Sequence, residues 1–256
     1  RLQPIELIKP FFVLICASLL SSGKAINLNF TYLISLILLS IIIILLLIQP
    51  DIGQSILLIT TWVTIVFISG IKISYILFLF CLLFICSITL LLIFPEKFGY
   101  IVHRLNVFFD PTKGDSFQTD KALDAIKQGG LKGQGMGEGI LKESVPEAHT
   151  DYIIAVITEE FGSIISILVI LIFLYISYRI IKNCIKTYDE NLKMALCGLS
   201  SLLIFQTFIH VGVNTSLLPT TGMTLPFLSY GGSSLIGSSI LAGVILNFTK
   251  NRFENE

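Results

Sequence analysis

The sequence predicts an all-α polytopic membrane protein of seven transmembrane helices with one large extracytoplasmic loop. Hydrophobic residues make up 54% of the 256 and charged residues only 13%, against roughly 25% charged in soluble domains. Mean hydropathy is +0.87. Seven windows are apolar over about the 20 residues needed to cross hydrocarbon, and Lys and Arg are gathered between them. The formal net charge of zero conceals that clustering and argues against a nucleic-acid partner.

The windows cover residues 5–22, 29–48, 54–70, 74–95, 152–178, 195–213 and 231–249. Each is expected to be a helix, because backbone polar groups in lipid must be satisfied within the segment. Lys24, Lys72, Arg179, Lys182, Lys186, Lys193, Lys250 and Arg252 all fall on one side, which the positive-inside rule makes cytoplasmic. The short connections 49–53 and 214–231 contain no Lys or Arg, so they lie outside together with the loop 96–151 and the chain start. The whole, 1–256, reads as a single membrane domain. It opens at Arg1 with no Met and no basic leader, which suggests a fragment missing its natural start. Cys16, Cys81, Cys86, Cys184 and Cys197 lie in or beside apolar runs and read as small core residues.

Within the loop, 117–128 (FQTDKALDAIKQ) has the spacing of a short amphipathic helix, resting on the membrane surface or on the bundle. The glycine-dense stretch 129–139 follows. With no preceding strand and no Gly-Lys-Ser/Thr ending it fails as a nucleotide loop. It reads as a flexible turn or as backbone N–H groups approaching a phosphate.

Asp151 opens the fifth window, where Thr150 can cap and the macrodipole favours a carboxylate. Glu159 and Glu160 follow about 12 Å further along the helix, and carboxylates at such depth mark a cavity or a partner. Burial and the helix terminus push the Asp151 pKa in opposite directions. Glu6 and Lys9 share a face at the outer end of the first window. With Arg1 they form either an interfacial ion pair or a cationic site for a lipid-borne pyrophosphate. Gln49-Pro50-Asp51-Ile52-Gly53 is a tight outer turn whose carboxylate can hold a basic partner. The apolar stretch 218–234 is broken by two prolines and three glycines, so it is expected to be re-entrant and covered by protein. Ser234, Ser238 and Ala242 form a small-residue packing face. His149 and His210 lack a third ligand at zinc spacing, and Trp62 is mid-span packing.

Taken together, Arg1-x-Gln3-Pro4-x-Glu6-x-x-Lys9, Gln49-Pro50-Asp51-x-Gly53, the glycine tract, Pro146-Glu147-x-His149-Thr150-Asp151 with Glu159-Glu160-x-Gly162, and Leu218-Pro219-x-x-Gly222 through Ser229-Tyr230-Gly231-Gly232-Ser233-Ser234 resemble the SEDS family. These are the FtsW, RodA and SpoVE proteins of shape, elongation, division and sporulation. The likeness covers essentially the whole chain, leans toward the division branch, and implies correspondence with the fourth to tenth helices of a ten-helix fold. Ile5, where the family usually has Ser, and His210, where Asn is common, depart from the pattern.

The resemblance implies a peptidoglycan glycosyltransferase that polymerises lipid II at the outer face of the bacterial inner membrane during cell division. Its partners would be a class B penicillin-binding transpeptidase and other divisome membrane proteins. Asp151 would be the general base of an inverting transfer. Substrate binding would involve Arg1, Glu6, Lys9, Asp51, His149, Glu159, Ser229 and Ser233. No protein metal site is expected, although a divalent cation such as Mg or Mn would suit the pyrophosphate. A lipid II flippase and a non-catalytic division scaffold are the competing readings. The bare cytoplasmic halves of most spans weigh against the flippase.

Overall fold

The computed structural model describes residues 3–21, 28–72, 74, 95–110, 117–145 and 147–250. Arg1, Pro146, Lys24, Cys81 and Cys86 lie outside the described residues, as does the expected span at 74–95 except for its two end positions. The described helices are α1 (Pro4–Ser21), α2 (Leu28–Ile48), α3 (Ile52–Ile68), α4 (Pro95–Phe109), α5 (Phe117–Gly129), α6 (Leu141–Ser144), α7 (Ile153–Phe161), α8 (Ser163–Ile185), α9 (Glu190–Asn214) and α10 (Gly232–Lys250). Five of these, α1, α2, α8, α9 and α10, are long and apolar enough to cross a membrane, and α3 is a shorter apolar helix of 17 residues. The chain is thus an all-helical, multi-pass membrane protein.

Local chemistry sets several helix starts. Pro4 opens α1, where its missing N–H costs no bond. The Asp51 side chain caps α3 by accepting from Gln54 N at 3.1 Å, and Asp189 caps α9 by accepting from Asn191 N at 2.9 Å. Although Phe208 faces outward, helix α9 is the most buried of the five spans, 72% against 50% or less for the others. It packs against α1, α3 and α8. Leu196, Leu199 and Leu202 meet Phe12, Val13 and Cys16 of α1 and Leu57, Leu58 and Ile65 of α3 in one continuous core. The outward faces of α2 (Leu33, Ile37, Ile41, Ile44) and α8 (Ile164, Leu168, Leu171, Leu174) are exposed and aliphatic, as lipid contact requires.

Two expectations need correction. The apolar run from 152 to 178 is not one helix: α7 ends at Phe161 and α8 begins at Ser163, with Gly162 between them at φ 89°. The cause lies about thirty residues earlier in the chain. Gln134 N donates to Glu159 O at 2.8 Å, Gly135 N to Glu160 O at 3.0 Å, and Ser163 N to Gly130 O at 2.9 Å. The tract thus supplies hydrogen bonds that a continuous helix would have made internally. A Cβ at Gly133 would collide with the Glu160 carbonyl, and one at Gly162 with the Leu131 carbonyl. Gly133 and Gly162 are therefore the sites where two backbones come within hydrogen-bonding reach, beyond the turn that the tract was expected to make.

The second correction concerns the loop 96–151, where one short amphipathic helix was expected and α4 and α6 are helical besides. The amphipathic helix expected at 117–128 is present as α5, and Ala122, Ala125 and Gly129 are its buried positions. It packs against α7.

Candidate active site

At one end of the bundle the turn 147–152 is hydrogen-bonded to the non-helical stretch 215–231 and the start of α3 to the first turns of α1, and Gln206 of α9 joins the two pairs through Thr224 O and Lys9. Asp151 lies in the turn, two residues ahead of α7, rather than in the first turn of a helix. Its backbone is fixed from two directions. Asp151 N donates to Glu147 O at 2.9 Å. Asn214, fully buried at the end of α9, donates from Nδ2 to Asp151 O at 2.9 Å and to His210 O at 2.8 Å, while its Oδ1 accepts from Ala155 N at 3.1 Å. One amide side chain thus places the Asp151 turn and satisfies an early N–H of α7.

The stretch 215–231 closes the other side. Tyr230 N donates to His149 O at 2.9 Å, and the Ser229 hydroxyl donates to Thr150 O at 2.6 Å while accepting from Leu225 N at 2.8 Å. A Cβ on Gly222 would stand 3.6 Å from Asp151 Oδ2, so this stretch runs past the carboxylate. Its own backbone is met from α9: Gln206 Nε2 donates to Thr224 O at 2.8 Å, and His210 Nδ1 lies 2.8 Å from Met223 O. This is how a broken apolar segment survives within a helical bundle.

The Asp151 carboxyl is pushed up to about 6, mainly by burial and then by the Glu147 charge, with Asp51 adding a smaller push. The Thr150 side chain and the Arg104 guanidinium pull the other way. The opposition left open in the sequence is thereby resolved in favour of burial, because the carboxylate stands before the helix and collects little of its dipole. Asp51 is likewise raised, again chiefly by burial.

Glu6 and Lys9 are brought together more tightly than spacing alone foretells. They pair at 2.8 Å with 3% and 4% of their side chains exposed. Gln54 Nε2 donates to Glu6 Oε1 at 2.7 Å, and Lys9 Nζ donates to Gln206 Oε1 at 3.2 Å. Gly237 of α10 seals this network from the far side, since a Cβ there would strike the Glu6 carbonyl. The cavity left beside the pair is about 10 Å³, room for about one water. Asp51 accepts from Gln3 Nε2 at 3.2 Å as well as capping α3.

The remaining expected site residues are distributed differently. Glu159 is 1% exposed and its carboxylate accepts from Ile140 N at 2.8 Å and Leu141 N at 3.1 Å, so it holds the end of the glycine tract. Glu160 pairs with Lys142 at 3.2 Å. The His149 side chain is exposed, and Ser233 is half-buried in the first turn of α10. Sequence reasoning passed over Asn214, Gln54, Gln206 and Arg104. The three amides were visible only as isolated polar residues within apolar runs. Arg104 lies on α4, where it donates from Nη1 to Thr220 O at 3.1 Å.

A multi-pass helical protein with a raised carboxyl beside a broken segment, and a buried ion pair on the neighbouring helices, defines a candidate site whose proton acceptor is a carboxylate. A sequence profile of the FtsW/RodA/SpoVE family of cell cycle proteins matches residues 1–254, and the chain belongs to that family. "Probable peptidoglycan glycosyltransferase FtsW" of Caulobacter vibrioides is 35% identical to it over 253 residues, 98% of this chain and 63% of that protein. Stage V sporulation protein E of Bacillus subtilis is 36% identical over 203 residues, 79% of this chain and 55% of that protein. The chain thus spans less than two thirds of the length of either relative. Among solved structures, a chain from a peptidoglycan synthase complex that coordinates polymerization and crosslinking superposes with a TM-score of 0.77 at 25% identity, covering 99% of this chain and 71% of that one. The rod shape determining protein RodA of Thermus thermophilus superposes at 0.64 with 25% identity, covering 98% and 66%.

Proposed function

We propose that this chain carries the catalytic part of a peptidoglycan glycosyltransferase that polymerises lipid II, with Asp151 as general base. The observation that carries the reading is the Asp151 carboxyl, raised to about 6 and held in a turn that α9 and the 215–231 stretch both pin. A base of that strength is ionised at neutral pH yet binds a proton well enough to take one from a sugar hydroxyl. The family relatives named for this activity support the same chemistry.

In this mechanism Asp151 removes the proton of the GlcNAc 4-hydroxyl of incoming lipid II as that oxygen attacks the anomeric carbon of the growing strand. The pyrophosphate leaves from the opposite side and the anomeric centre inverts. Arg1 supplies positive charge to the leaving group, and Lys9, buried against Glu6 and Gln206, adds its charge at longer range. Glu6 and Asp51 keep the first turns of α1 and α3 in register through Gln54 and Gln3. A divalent cation finds no group of three His, Cys, Asp or Glu among the described residues, so no step is assigned to one.

The proposal extends to seven spans, an active face on the outside of the inner membrane, a role in division, and a class B penicillin-binding transpeptidase with other divisome membrane proteins as partners. The test is polymerisation of purified lipid II by the whole protein with its transpeptidase, wild type beside Asp151→Asn, with products resolved by glycan length. Loss of a base of this kind costs about a hundred- to ten-thousand-fold in rate. Equal polymer from both proteins would remove Asp151 from the role.

A further inference from the structure

Beside the Asp151 turn, α4, α5 and the stretch 216–220 enclose a cavity of about 230 Å³ that the mechanism does not use. That is far more than the roughly 10–15 Å³ that admits a single water. Its walls are of two kinds. Val107, Phe108, Leu123 and Leu218 make one side apolar, and Arg104, Gln118 and Thr220 make the other polar.

Two features of the polar side point to a ligand. Arg104 presents five N–H donors; one is engaged with Thr220 O at 3.1 Å, and the guanidinium is half-buried. Ser216, held at φ 54°, lines the same cavity with a hydroxyl that is buried and has no hydrogen-bond partner. A buried hydroxyl left unpaired costs about 1–3 kcal/mol, and a bound acceptor removes that cost.

The charge balance selects the acceptor. Asp120 also lines the cavity, so a pyrophosphate there would meet one guanidinium, one carboxylate and a half-apolar wall. A single carboxylate on a short peptide matches better: it takes the Arg104 fork and the Ser216 hydroxyl, its alkyl side chains lie against Phe108 and Leu123, and any free amine faces Asp120. Building on the glycosyltransferase reading, we propose that this cavity binds the carboxylate-bearing peptide of the disaccharide-peptide substrate, with Arg104 and Ser216 as its specificity-determining residues. Arg104 also ties α4 to Thr220, two residues from Gly222, so an occupied cavity steadies the stretch that runs past Asp151.

The experiment pairs two proteins with two substrates. Initial rates of polymerisation are measured at pH 8, where Asp151 is ionised in both proteins, for wild type and Arg104→Gln, on lipid II with its full peptide and on the same lipid-linked disaccharide lacking the peptide. On the full substrate Arg104→Gln raises KM about tenfold or more, the worth of a charge-assisted bond, with kcat within about twofold. On the peptide-free substrate the two proteins have equal KM. Ser216→Ala repeats the pattern with a smaller effect and leaves the Arg104–Thr220 bond in place. An equal rise in KM on both substrates would assign Arg104 to the pyrophosphate and overturn the proposal, as would a loss of kcat alone, which marks a structural anchor. If wild type polymerises neither substrate, it is the glycosyltransferase reading that fails, an outcome separate from these.

Discussion

Polymerisation should lose rate on acidification along a limb centred near pH 6, and the position of that limb can be moved. The proposed mechanism requires the base form of Asp151, and a carboxyl titrating at about 6 is about nine-tenths ionised at pH 7, half at pH 6 and one-tenth at pH 5. The rate at pH 5 is therefore expected to be about one-tenth of that at pH 7, whereas a free carboxyl near 3.8 would lose little over the same range. Burial is the largest cause of the rise, followed by Glu147 and then Asp51, while Thr150 and Arg104 oppose it. Glu147→Gln removes a raising charge and moves the limb to lower pH, so the variant outperforms wild type at pH 5. The limb stays above the free carboxyl's range because burial is untouched. Because Glu147 is solvent-exposed, its effect should shrink as salt is raised. Arg104→Gln moves the limb the other way. The assay is the initial rate of lipid II polymerisation from pH 5 to 8, reported as kcat/KM, at low and physiological salt. A flat profile from pH 5 to 7, or an upward shift with Glu147→Gln, would refute the assignment of the limb to Asp151.

Three further outcomes concern the structure around the site. Lys9→Met leaves Glu6 buried without its cation and should destabilise the protein by about 3–5 kcal/mol; pairing it with Glu6→Gln should recover part of the loss, read as the thermal unfolding midpoint in detergent. Gly162→Ala places an L side chain at φ 89° against the Leu131 carbonyl, at a cost of about 1–3 kcal/mol from the backbone alone, while Ser163→Ala in the same assay loses only its hydroxyl bond to Gly130 O. Asn214→Ala strips partners from Asp151 O and Ala155 N, costs about 1–3 kcal/mol, and should lower the polymerisation rate of protein that remains folded.

The sequence exposed the parts of this molecule whose cause is local. Spans follow from hydrocarbon length, and α1, α2, α3, α9 and α10 begin and end within a few residues of where hydropathy puts them. Asp151 stood out because it is a carboxylate at the edge of an apolar run, and Glu6 with Lys9 because three residues is one helical face. What stayed hidden has its cause elsewhere in the chain. The run from 152 to 178 contains no proline and only one glycine, and nothing in it announces a break; the requirement comes from residues 129–135. That Lys9 is buried against Gln206 as well as Glu6, with Gln54 holding Glu6 in turn, was hidden because those amides lie 197 and 48 positions from the groups they bond. Arg104 lay in a segment read as loop, and its bearing on Asp151 exists only once α4 meets Thr220.

Connections between spans are ordinarily where a membrane protein tolerates lengthening. The contact between the glycine tract and the α7–α8 junction removes that tolerance. Gln134 and Gly135 meet the carbonyls of Glu159 and Glu160 in step, residue for residue, while Gly130 accepts from Ser163 beyond the break. One inserted residue between 130 and 134 would slip the register of those bonds and bring a side chain or the wrong glycine against a carbonyl. Indels across 129–135 should therefore be as damaging as a core substitution, and a tag or reporter placed there would stop the helix from breaking where it must.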